Sequence, residues 1–241
     1  MDVSEIAFTI RTSECRPDGK IRIASLMQYL QEAAALHAEG LGFGFEKLSE
    51  MDGYWALSNF RIEIARRPAW GEHVTIRTWP SGYSRVVASR EFIGEDQDKR
   101  ELFKAGSEWM ILDKRRNRPK NLFHLDLALP ESAEKAFSGQ LSRLQRRDDY
   151  HEADRIRVRY SSIDLNGHVN NTEYVRWGFD ALRTVFKIDG DVRSVQVTYL
   201  SELFEGDELE VLVSSGAGGH FHVLGRKSDA KTDVFLMEVC L

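Results

Sequence analysis

Cysteine is nearly absent from this chain of 241 residues: Cys15 and Cys240 are too few for a disulfide framework. No run approaches the ~18 consecutive apolar residues of a membrane span. The first twenty residues carry Asp2, Glu5 and Glu14, unlike a secretory signal or an acid-poor transit peptide, so a cytoplasmic protein with no membrane association is expected. An excess of basic charge is also missing. With 33 Lys and Arg against 38 Asp and Glu, the net charge is −5, which argues against a general nucleic-acid binder. No Gly-x-Ser-x-Gly elbow occurs, and Gly40, Gly42 and Gly44 are too densely spaced for a dinucleotide fingerprint. His220 and His222 alternate without a third ligand at a recognisable spacing, so no metal and no other cofactor is expected.

What is present is an ordinary globular composition, 42% hydrophobic and 29% charged, with an internal repeat. In the first half, a strand-like segment from Ile6 to Ile10 leads through Pro17-Asp18-Gly19 into a helical pattern. Ile23, Leu26, Met27, Leu30, Ala33 and Ala34 mark its apolar face, and Gly40 and Gly42 end it. In the second half, Ile156 to Tyr160 leads through Asn166-Gly167 into a helix marked by Tyr174, Val175, Phe179, Leu182, Val185 and Phe186. Superposing the two puts Gly19 on Gly167, Ile21 on Val169 and Tyr29 on Trp177. Strand-like runs follow in both halves: Phe60 to Ile64, Val74 to Ile76, Val86 to Ile93 and Glu101 to Leu112, then Val195 to Tyr199, Leu209 to Val211, Phe221 to Leu224 and Val234 to Cys240.

Each unit thus reads as strand, one long helix, then several antiparallel strands, an α+β arrangement whose sheet wraps around its helix. The expected units are residues 1–130 and 154–241. Residues 131–153, rich in charge and poor in periodicity, are the expected connector.

The densest chemistry lies at Asp164-Leu165-Asn166-Gly167-His168-Val169-Asn170-Asn171. In an extended segment Asp164, Asn166 and His168 would share one face beside a helix N-terminus, where backbone N–H groups favour developing negative charge. The same residues are also good turn chemistry, with Asn170 or Asn171 as a helix cap. Lys114-Arg115-Arg116-Asn117-Arg118-Pro119-Lys120 is a basic loop, readable as a solvated turn or as a docking site for an acidic partner.

Three stretches together resemble the acyl-acyl-carrier-protein thioesterases, whose chains hold two hot-dog domains. One is the Asp164 to Asn171 segment with Tyr174 and Trp177. Another is Val197-Thr198-Tyr199-Leu200-Ser201-Glu202 with Gly206-Asp207. The third joins Trp55, Phe60 to Ile64, Pro68 to Glu72, Thr78-Trp79 and Ser107-Glu108-Trp109-Met110 in the first half. The resemblance implies a double hot-dog fold and hydrolysis of fatty acyl chains from acyl carrier protein. It also implies an acyl pocket in the first half and catalytic groups in the second: Asp164, Asn166, His168 and Glu202.

Some relatives carry a cysteine after the glutamate; Leu203 stands there in this chain, which argues against a covalent thiol mechanism. In the expected reaction Glu202 is the base for water, and His168 manages the proton to the departing sulfur. Asn166 positions water or substrate, Asp164 orients Asn166 or His168, and N–H groups around Asn170 to Thr172 face the oxyanion. Met27, Leu30, Trp55 and Asn171 are the expected substrate contacts, with Arg115 and Arg116 for the carrier; Met27 and Leu30 would equally suit a solid core. An acyl-CoA thioesterase, a hydratase of enoyl thioesters and a non-catalytic acyl-thioester sensor are the competing readings, and both a monomer and a homodimer remain open.

Overall fold

The structure is a computed structural model that describes residues 3–137, 141–188 and 190–241. The chain divides into two compact units, Met1–Leu141 and Ser142–Leu241, so the division falls inside the segment expected to be connector.

In the first unit, β1 (Ser4–Thr9) precedes α1 (Ile23–Gly40), a short α2 (Phe45–Glu50), and the strands β2 (Gly53–Ile64), β3 (His73–Tyr83), β4 (Ala88–Glu95) and β5 (Glu101–Asp113). The sheet is antiparallel with spatial order β1-β3-β4-β5-β2. All six residues expected on the apolar face of α1 are buried, and the helix packs against β3 and β1. Leu26, Met27 and Leu30 are each 1% exposed, a burial worth roughly 1.5–3 kcal/mol per side chain. Gly40 is the last residue of α1, and Gly42 takes a left-handed φ of 78° just beyond it.

The second unit repeats the plan with β6 (His151–Arg157), α3 (Asn171–Phe186), β7 (Ser194–Tyr199), β8 (Glu208–Ser215), β9 (His220–Lys227) and β10 (Asp233–Cys240). Its order, β6-β8-β9-β10-β7, is that of the first unit strand for strand. β6 begins earlier than its sequence pattern indicates, at His151, and Tyr160–Ser162 is a 3-10 turn rather than a strand end.

The repeat extends to individual hydrogen bonds. Around Gly19, the N–H of Arg16 donates to the Lys20 carbonyl at 2.9 Å; around Gly167, the N–H of Asp164 donates to the His168 carbonyl at 2.7 Å. Both glycines are left-handed, with φ of 74° and 81°. Each unit also lays a fully buried phenylalanine over a cross-strand glycine, Phe103 over Gly94 and Phe235 over Gly225. A sheet curled about one long helix is the hot-dog arrangement, and this chain is a double hot-dog of the α+β class.

Candidate active site

The segment from Asp164 to His168 is a tight turn, not the extended run that would put alternate side chains on one face. The left-handed Gly167 breaks the alternation. Asp164 spends its carboxylate within the turn: Oδ1 accepts the N–H of Asn166 at 2.8 Å and of His168 at 3.3 Å. It therefore holds His168 through the backbone rather than through the imidazole. Asn166 is exposed, with its backbone N–H tied into the turn.

The turn is docked by a bond from the Val169 N–H to the Leu203 carbonyl at 2.9 Å. Leu203 is fully buried, so the preceding Glu202 is carried to the same place. His168 Nδ1 lies 3.5 Å from Glu202 Oε1, with their side chains 19% and 22% exposed. That separation is the outer limit of a hydrogen bond. Catalytic contacts of this kind are often long before substrate binds. The exposure is enough to admit water while shielding the pair from full solvation. Phe204 packs edge-on against the imidazole at 5.0 Å between centroids.

Behind the pair stands Tyr174, buried and beside the Leu203 N–H; burial above all pushes its phenol well above the ordinary tyrosine range, with Glu202 and Asp164 adding to the rise. The buried Tyr199 donates from its hydroxyl to the Asn171 carbonyl at 3.0 Å, fixing the start of α3 to β7. Two of the N–H groups expected to face an oxyanion are already engaged. Asn170 donates to the Ser162 carbonyl, and Thr172 to the Asn170 side chain, each at 2.9 Å. The Asn171 N–H is the group of the three with no hydrogen bond among the described residues.

Asn170 is the N-cap of α3, its Oδ1 accepting from both the N–H and the hydroxyl of Thr172. Asn170→Ala is expected to lower stability by about 1 kcal/mol in urea denaturation, whereas Asn170→Asp retains the cap. Equal losses in the two variants would show that the side chain does more than cap.

The equivalent place in the first unit shows what is special about the second. Aligned by their hydrogen bonds, Lys20 stands where His168 does, Asp18 where Asn166 does and Arg67 where Glu202 does. There the groups form an ion pair, Arg67 to Asp18 Oδ2 at 2.8 Å, with the guanidinium almost wholly buried. An imidazole, a carboxamide and a carboxylate in the second unit correspond to two cations and an acid in the first.

The first unit contributes a cavity of about 130 Å³ instead, lined by Ala34, Ala38, Phe43, Trp55, Tyr83, Arg90 and Trp109 among others. Trp55 is held by its indole N–H on the Phe43 carbonyl at 3.0 Å. Met27 and Leu30 do not line this cavity. One to two turns nearer the start of α1, they fill the core between helix and sheet. Ala34, Ala35 and Ala38, which line it, are the sequence signal for the space, because small side chains on a helix leave room against a sheet.

Arg115 and Arg116 are exposed on a turn whose backbone N–H groups both reach Asp113 Oδ1 at 3.0 Å. The side-chain bond from Lys120, with those N–H groups, holds the Asp113 carboxyl down at about 2. Arg115 pairs with Asp52 at 2.9 Å and Lys120 with Asp113 at 3.0 Å, which neutralises two of the five cations in this loop.

Among the described residues, no group of three or more His, Cys, Asp or Glu is arranged to hold a metal ion. His220 and His222 both turn Nδ1 toward Glu238, at 3.7 and 3.4 Å, a neighbour that linear spacing did not reveal. No helix among the described residues is long and apolar enough to cross a membrane.

Residues 2–124 match the family model of the acyl-ACP thioesterase N-terminal domain, and residues 145–234 that of the C-terminal domain. The chain belongs to the acyl-ACP thioesterase family. It is 29% identical over 184 residues to a chloroplastic acyl-acyl-carrier-protein hydrolase of Cuphea viscosissima, covering 71% of this chain and 45% of that one. The chain spans about half the length of the curated relatives it matches. Its fold is similar to that of an acyl-ACP thioesterase from Bacteroides thetaiotaomicron, with a TM-score of 0.87, 24% identity, and coverage of 99% of this chain and 97% of that one. It is likewise similar to the 12:0-ACP thioesterase of Umbellularia californica, at a TM-score of 0.84, 22% identity, and 99% and 96% coverage.

Proposed function

We propose that this chain hydrolyses the thioester of fatty acyl-acyl carrier protein and releases the free fatty acid. The observation that carries the reading is the approach of His168, on its docked turn, to Glu202 in the second unit.

The chemistry is uneven. A departing thiol with a pKa of about 8.5 leaves readily. Water, at about 15.7, needs a base before it attacks. Glu202 takes a proton from water as the oxygen bonds to the thioester carbon. The tetrahedral intermediate collapses by breaking the carbon–sulfur bond, and the proton passes through His168 to the leaving sulfur. The Asn171 N–H, at the positive end of α3, is the donor offered to the oxyanion. Asp164 fixes the turn, and Asn166 at its exposed rim steers water or substrate. The cavity of the first unit takes the acyl chain, with Trp55 in its wall, so the two units divide binding and catalysis between them.

The test is release of free thiol from a panel of acyl carrier protein and CoA thioesters. Release from the carrier-protein substrates supports the reading. A preference for CoA would make the protein an acyl-CoA thioesterase, and binding without release would make it an acyl-thioester sensor.

The carrier is acidic in this reading and docks on the loop from Lys114 to Lys120. Arg115→Glu with Arg116→Glu is expected to raise KM for acyl carrier protein substrates about tenfold, with kcat on small thioesters retained. Added salt should narrow that gap because it screens exposed charge. Equal KM values for the variant and the unsubstituted protein would remove the loop from the docking surface.

A further inference from the structure

An acyl chain needs only apolar walls, yet the cavity of the first unit has an arginine among its lining residues. Arg90, on β4, is 7% exposed. Its Nη1 meets His37 Nδ1 at 3.0 Å and the Thr78 hydroxyl at 3.1 Å. A guanidinium can only donate, so Nδ1 of His37 is the acceptor in that bond. Both partners are therefore neutral acceptors rather than a compensating acid. Burial lowers the Arg90 pKa to about 10, and no carboxylate among the described residues pairs with it. The adjacent acid, Glu91, is occupied elsewhere. It accepts from the Ser81 hydroxyl at 2.8 Å and the Ala136 N–H at 3.2 Å, with Lys135 at 3.8 Å.

A buried cation without an anion is costly, and its cost grows when a hydrocarbon displaces whatever water reaches it. Leucine or methionine at position 90 would serve a plain acyl chain better. A cation that persists in the wall of a mainly apolar pocket, which it shares with Ala34, Ala38, Trp55 and Trp109, is suited to a ligand that brings an oxygen there. We infer that Arg90 is a specificity-determining residue that selects acyl chains carrying an oxygen acceptor, a hydroxyl, oxo or carboxylate group, in addition to the thioester. This deepens the thioesterase reading and rests on it. The gain comes from the asymmetry of polar recognition: an oxygen offers the guanidinium a further acceptor, whereas a methylene only desolvates it.

The experiment compares acyl carrier protein substrates of matched chain length. One is plain, and the others carry a hydroxyl or oxo group at successive carbons or a terminal carboxylate. With the full chain, kcat/KM for one or more oxygenated substrates is expected to exceed that of the plain one about tenfold or more. In Arg90→Met that ratio should fall to one or below, with the loss borne by the oxygenated substrates. Arg90→Gln, which keeps donors but no charge, should fall between.

A purely structural Arg90 would lower both substrates together and leave the ratio intact, and that result overturns the inference. So does a ratio of one or less at every position in the unsubstituted protein, which decides the matter even if the variants fail to fold. If no thioester of any kind is cleaved, the hydrolytic reading falls instead. The pocket is then judged by calorimetric Kd values of the same series as uncleaved thioesters: a preference for oxygen that Arg90→Met abolishes supports it, and equal values overturn it.

Discussion

Glu202→Gln is expected to lower kcat by about two to four orders of magnitude while leaving the fold intact. The substitution preserves size and removes the acceptor that would take a proton from water. The backbone around it is held without the carboxylate: Leu203 is anchored through its backbone carbonyl, and Phe204 packs edge-on against the imidazole. Thermal unfolding should therefore move little. His168→Ala should cost a similar factor in turnover. The double variant should cost scarcely more than either single one, because two groups that hand on one proton act as a unit. The measurement is single-turnover thiol release alongside circular dichroism. Turnover within an order of magnitude of the unsubstituted protein in either variant would remove the pair from the mechanism. Multiplicative losses in the double variant would assign the two groups to separate steps.

The part of this site legible in the sequence was the part with a local signal. The apolar period of α1 names its buried face residue by residue, and the turn from Asp164 to His168 is written in Asn-Gly chemistry. Alternation misled where a glycine intervened: a left-handed Gly167 places Asp164 and Asn166 by the turn, not by strand parity.

Other features had no local signature. The front half of β2, from Tyr54 to Asn59, is buried on both faces for most of its length, so it shows no period of two. α2 follows three closely spaced glycines that read as the end of a helix rather than a gap between two. The nearness of Glu202 to His168 depends on long-range bonds such as that from Val169 to Leu203, and only the repeat hints at it: the same bond joins Ile21 to Pro68 in the first unit. Arg90 was invisible for a related reason. A lone arginine in a strand reads as exposed until the sheet curls a helix over it.

Phe235→Ala is expected to destabilise the chain by about 3–5 kcal/mol in urea unfolding, among the largest effects any single substitution here should have. The ring is fully buried, and it lies over Gly225, its direct partner across β9 and β10, where a Cβ would overlap it. Tyr174 of α3 meets the same ring edge-on at 5.3 Å, so the phenylalanine joins the sheet to the helix that starts beside His168 and Glu202.

Two losses then coincide: the apolar contact, and the cover that a flat ring gives to a glycine weak in strand propensity. Gly225→Ala attacks the device from the other side, forcing the ring to shift, and should cost about 1–3 kcal/mol by overpacking. The two substitutions should not add. With the ring gone the new methyl meets no clash and fills part of the vacated space, so the double variant should be no less stable than Phe235→Ala alone. The same cycle on Phe103 and Gly94 should give the same sign, because the first unit uses the same pair in the same register. Additive losses in both cycles would mean that ring and glycine are independent, and that their repetition in the two units has no energetic basis.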